Sequence, residues 1–150
     1  MQAQLDKAFA ELNAKMLDRQ LTWAGARREA TKAKIAELMP KRRAMGEWAY
    51  YDAVFSVAGG KTWFAIVTDA NWEAIVAKNV AALIARRDAQ IIAALAKKGV
   101  TEIPEFTLVE TSDGVEGTFI VAGHTVTIRT ILAGGYNIQC LHQRTLVKVK

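Results

Sequence analysis

Cysteine occurs once in these 150 residues, as Cys140, and histidine twice, as His124 and His142. One cysteine excludes an internal disulfide and any Cys-rich zinc site, and two histidines cannot build a His-rich metal centre. The chain has no HExxH motif and no paired-cysteine spacing, so neither a metal nor another cofactor is expected. Long apolar runs are missing too: none approaches the roughly 18 residues that mark a bilayer span. The first residues, MQAQLDKAFAELNAKMLDRQ, are charged throughout, unlike a signal peptide. These absences lead to the expectation of a cytoplasmic protein with no membrane partner.

Catalytic groups are equally sparse. AGGKT at 58–62 has the tail of a phosphate-binding loop, but Phe55 stands where the opening glycine belongs. Cys140 and His142, two apart on a strand, point the same way, yet a free cysteine in an apolar tract is ordinarily a small buried hydrophobe. The carboxylates are scattered along helices and turns, where they solvate the surface. An enzyme is not expected.

Hydrophobic residues make up 51% of the chain and the formal net charge is +5. The first is enough for one packed core without metal or disulfide support, so residues 1–150 are read as a single domain. The second favours an anionic partner through long-range attraction. Its cations come in clusters: Arg27 and Arg28, Lys41 to Arg43, Arg86 and Arg87, Lys97 and Lys98.

Leu5, Phe9, Leu12 and Met16 recur at helical spacing and predict a first helix with one apolar stripe. A second helix is expected from Thr22, as N-cap, to Met39, before Pro40. Together these form a helical arm over 1–45, suited to oligomerisation, ahead of an α+β core over 46–150. The pair Tyr51 and Phe55, with Gly59-Gly60 behind it, favours a short helix near 48–57. Thr62 to Thr68, β-branched and aromatic, reads as a strand. A long helix is expected from about Asn71 to Lys98, with stripe Val76, Val80, Ile84, Ile91 and Leu95. Arg87 and Asp88 interrupt that stripe, either as a snorkelling cation with its carboxylate partner or as a ligand or subunit contact.

From Phe106 the pattern turns to strands: 106–111, 118–121 before an Ala122-Gly123 turn, an alternating 125–129, and a last strand ending in LVKVK. The fold class is therefore α+β, with a helical N-terminal half, one long central helix and a mostly antiparallel C-terminal sheet.

AGGYNIQCLHQR at 133–144 is polar on both faces of any strand it could form. Tyr136 offers a ring for stacking, Asn137 and Gln139 amides that donate and accept, and Arg144 a planar fork suited to phosphate. With His142, Arg129, Lys61, Trp63 and Arg87 these make the candidate ligand-binding set. The bland alternative is a strand running from a solvent edge into a subunit interface.

The segments GGKTWF, KNVAALIARRDAQIIAALAKKGV, TSDGVEGTFIV and TIRTILAGGYNIQCLHQRTLVK resemble a family of small phage-encoded proteins, over about residues 46–149. Its most specific segment, AGGYNIQC-x-H-x-R-x-LVK, is present at Ala133 to Cys140, His142, Arg144 and Leu146 to Lys148. The general build is also similar to that of the Thoeris anti-defence sponges. The resemblance implies a non-catalytic homo-oligomer in the cytoplasm of an infected bacterium, sequestering an anionic nucleotide used in immune signalling. The alternatives it leaves are an inhibitor of a host defence protein or nuclease, and a nucleic-acid-binding protein.

Overall fold

The computed structural model describes residues 1–132 and 143–150. Five α-helices, α1 (Gln2–Leu38), α2 (Arg42–Met45), α3 (Glu47–Ala58), α4 (Lys61–Thr68) and α5 (Trp72–Ala96), precede four strands. The strands are β1 (Val109–Glu110), β2 (Gly114–Val121), β3 (His124–Leu132) and β4 (Gln143–Val149). They form an antiparallel sheet in the order β1-β2-β3-β4, so the fold is α+β as the periodicities predict. The chain divides into two compact units, residues 1–17 with 80–150, and residues 18–79.

Two elements of the helical half differ from the sequence reading. The two expected N-terminal helices are one: Thr22 sits inside α1, because no glycine or proline breaks the run of good helix formers between Met16 and Thr22. That helix does stop where proline requires, in a short 3-10 turn over Met39–Lys41. The expected strand over Thr62 to Thr68 is α4. Side-chain packing overrides its β-propensity: Trp63 meets Trp23 edge-on at 4.2 Å, Phe64 meets Phe55 at 4.8 Å, and Val67 is fully buried. Positions 63, 64 and 67 fall on one face of a helix, whereas neighbours 63 and 64 on a strand would point to opposite faces.

In the unit of residues 18–79, helix ends are closed by arginines of α1. Arg27 donates to the Val57 carbonyl at 3.2 Å, and Arg28 donates to the Val67 and Asp69 carbonyls at 2.7 Å. These are terminal carbonyls of α3 and α4 and the residue beyond, where cations oppose the negative end of the helix dipole. Gly59, at φ 96°, supplies the left-handed turn that ends α3.

In the unit of residues 1–17 and 80–150, Leu5, Phe9, Leu12 and Met16 are all buried, with Ile91, Leu95, Phe119, Val126 and Ile128. The inner sheet face is read directly from register: Phe119 pairs with Val126, Gly117 with Ile128, and Val115 with Thr130. At Gly117 a Cβ would lie 2.8 Å from the Phe106 ring, so any larger residue there requires that ring to shift. Of the strand expected over 106–111 only Val109 and Glu110 pair, because Phe106 turns inward to pack on Phe119 at 4.8 Å. Gln90 donates to the Thr145 carbonyl and Gln143 to the Leu83 carbonyl, joining α5 to β4.

Candidate functional site

The outer face of the sheet carries several exposed or half-exposed cations, Arg129, Arg144 and Lys148. Strand alternation turns every second residue outward: Glu116, Thr118 and Ile120 on β2, Thr125, Thr127, Arg129 and Ile131 on β3, and Arg144, Leu146 and Lys148 on β4. Register then sets them in rows. Arg129 lies between Glu116 and Leu146, Thr127 between Thr118 and Lys148, and Thr125 beside Ile120. The ladder continues one residue further, where Thr125 and Lys150 exchange both backbone hydrogen bonds at 2.9 Å.

Between these rows lies a hollow of about 370 Å³ lined by Glu116, Thr125, Thr127, Arg129, Leu146, Lys148 and Lys150. Two threonines and three cations face it against one carboxylate. Arg144 stands on the same face, across from Ile131 and one outward step beyond Leu146. Three exposed apolar side chains share the face: Val109, Ile120 and Leu146.

The cations are not equally available. Arg129 donates through Nη2 to both oxygens of Asp113 at 2.8 Å, and Thr111 donates to the same carboxylate at 3.1 Å. The hydrogen bond to Asp113, and then its charge, raise the Arg129 pKa above its ordinary value; the same guanidinium holds the Asp113 carboxyl below its ordinary value. Arg129 is thus oriented but half-neutralised. Arg144, Lys148 and Lys150 are exposed and have no ion-pair partner among the described residues. An anion entering the hollow would meet Lys148 and Lys150 first and share Arg129 with Asp113.

Other candidates from the sequence do other work. Arg87 is 2% exposed, its donors bound to Asp88 and Asn13 and its guanidinium stacked on Phe9, so it faces the core and not a ligand. Burial lowers its pKa, opposed by the Asp88 charge. It does not snorkel; the pair Arg87 and Asp88 fills the gap in the α5 stripe from inside. Trp63 is half-buried against Trp23, and Lys61 is exposed at the start of α4; both belong to the other compact unit. Tyr136, Asn137, Gln139 and His142 lie outside the described residues. Sequence reasoning did not include Thr125, Thr127, Lys148 and Lys150, which line the hollow, although the alternation over 125–129 and the LVKVK ending already placed them on one face.

Among the described residues, no three His, Cys, Asp or Glu side chains are grouped to hold a metal, and no helix is long and apolar enough to cross a membrane. Compared with known protein families, with curated proteins and with solved structures, the chain has no match in any of the three.

Proposed function

We propose that this is a non-catalytic, phage-type counter-defence protein that binds and sequesters an anionic nucleotide on the outer face of its sheet. The observation that carries the reading is the hollow in which Arg129, Lys148 and Lys150 surround the Thr125 and Thr127 hydroxyls. Cations neutralise phosphate, and hydroxyls donate to its oxygens or read sugar and base edges. Its volume, about 370 Å³, falls within the range of small-molecule sites. Arg144 extends the cationic rim to a second phosphate. A second copy of the chain closes the hollow in this proposal, because Val109, Ile120 and Leu146 give it an exposed apolar border. Sequestration needs affinity and no turnover.

The first experiment is native mass spectrometry of protein purified from cells with an active nucleotide-based immune system, repeated after denaturation. An oligomer that releases a phosphate-bearing small molecule is the expected result. Arg144→Ala/Lys148→Ala, two changes at exposed positions, should purify folded but without cargo. A monomer without cargo, or cargo retained by that double variant, sinks the assignment.

A further inference from the structure

Six large apolar side chains are exposed among the described residues, and they fall into two sets. Val109, Ile120 and Leu146 border the sheet site. Met39, Trp48 and Tyr51 belong to the other unit, where Trp48 is 80% exposed. An indole that open is unusual, since a tryptophan is ordinarily well buried.

Its surroundings are rigid. Leu38, Tyr50 and Val54 form a buried cluster against Ile35, Met45 and Phe64, which fixes the turn from α1 into α3. Arg42 fastens the outside of that turn. It donates to both oxygens of Glu47, at 2.7 and 2.8 Å, and to the Tyr51 hydroxyl at 3.1 Å. Its guanidinium lies 4.3 Å from the Tyr50 ring centre. The Arg42 charge and the Glu47 charge therefore cancel within the corner. Lys41 and Arg43, on either side of Arg42, are exposed and without a partner among the described residues. Trp48 follows one residue after Glu47. Asp52, one helical turn on, is the remaining unpaired charge here, leaving the corner with a net excess of one positive charge.

We infer that this corner is a contact site for single-stranded nucleic acid. A base stacks on the open face of Trp48, and the flanking phosphates meet Lys41 and Arg43. A stacking ring beside unpaired cations is the combination that sequence-tolerant single-strand binders use, because every base has a π face and every nucleotide a phosphate. A protein partner fits less well: stable interfaces cover roughly 800 Å² on each side, around a contiguous apolar centre. Here the exposed apolar side chains Met39, Trp48 and Tyr51 alternate along the chain with the charges of Lys41, Arg43, Glu47 and Asp52. Duplex DNA is also a poorer partner, since its bases are already stacked on each other.

The test is fluorescence anisotropy of a labelled twelve-residue oligo(dT), titrated with the full-length protein at several salt concentrations. Trp48→Ala should weaken binding about tenfold or more, while Trp48→Phe stays within about threefold of the parent. Lys41→Ala/Arg43→Ala should lower the slope of log K against log salt by about 0.7 for each phosphate that is no longer neutralised. Asp52→Asn should tighten binding. Lys97→Ala/Lys98→Ala, at exposed cations outside both proposed sites, should leave it unchanged, which separates this site from a general effect of charge. Circular dichroism confirms that each variant is folded, as the exposure of these positions predicts. No binding at low salt overturns the inference, as does equal binding by parent and Trp48→Ala. Trp48-dependent self-association or capture of an acidic protein, without oligonucleotide binding, overturns it in favour of a protein docking site.

Discussion

The guanidinium carbon of Arg87 lies 3.8 Å from the centre of the Phe9 ring, so a cation and an aromatic face far apart in the sequence meet within the core. The same guanidinium holds Asp88 Oδ1 at 2.8 and 3.0 Å and Asn13 Oδ1 at 2.7 Å, while Gln2 donates to Asp88 Oδ2 at 2.9 Å. Phe9 and Asn13, four apart on α1, present one face; Arg87 and Asp88 answer from α5. A buried ion pair adds little net stability over apolar groups of the same volume, but it fixes which residues can face each other.

Breaking that pair from one side should be costly. Arg87→Met strands the Asp88 carboxylate, and Asp88→Leu strands the guanidinium; each should lose about 3–5 kcal/mol in urea unfolding. The double variant Arg87→Met/Asp88→Leu should be more stable than either single variant, because no unpaired charge stays buried. A double variant no better than the worse single one would show that the two residues contribute separately.

The surface pair Arg129 and Asp113 should act through pH. The folded Asp113 carboxyl is held below its ordinary value by Arg129, so the unfolded state takes up its proton first. The stabilisation is therefore fully present above the unfolded carboxylate value, about 3.9, and is lost as pH falls through the lower folded value. The difference in Tm between the parent and Asp113→Asn should hold at pH 7 and close in acid. Asp113→Asn should also tighten anion binding at neutral pH by releasing Arg129, which isothermal titration with a nucleotide would measure. A pH-independent difference in Tm would mean that the carboxylate acts by turn geometry, through Thr111, and not by charge.

Much of this was legible in the residues because one signal sufficed. Period-2 alternation placed Val126 and Ile128 inside and Arg129 outside, and the Leu5 to Met16 stripe marked a buried helix face. The long helix α5 ends near Gly99, whose φ of 74° accompanies the bond from Val100 N to the Leu95 carbonyl. What failed needed tertiary knowledge. Thr62 to Thr68 has the composition of a strand, and only its packing on Trp23, forty residues back, and on Phe55 of the preceding helix makes it a helix. The clustered cations misled for the same reason. Arg27, Arg28, Arg42 and Arg87 look like a basic surface in one dimension, yet each is held by carbonyls, a carboxylate or a ring. Cations without such a partner include Lys148 and Lys150, which the LVKVK ending sets on one strand face; strand register is what adds Arg129 to that face.

The hairpin between β2 and β3 carries a removable strain. Val121 pairs with His124, leaving Ala122 and Gly123 as a two-residue loop with φ values of 50° and 77°. Two positive φ values in succession define the type I′ turn that suits the twist of the flanking strands. Glycine adopts the second position freely, but an alanine in the left-handed region costs roughly 1–2 kcal/mol. Asparagine tolerates that region better, and it avoids the extra unfolded-state entropy that glycine would add. Ala122→Asn should therefore raise stability by about 0.5–1 kcal/mol, and Ala122→Gly by less. For a chain of this length the asparagine gain corresponds to a rise in Tm of about 1–4 °C. Differential scanning calorimetry resolves such a change, and an unchanged or lower Tm for both variants would mean that Ala122 is not strained in solution. Because the loop lies at the Thr125 and Lys150 end of the sheet, the same variants should leave nucleotide affinity intact only if the turn keeps its two-residue register.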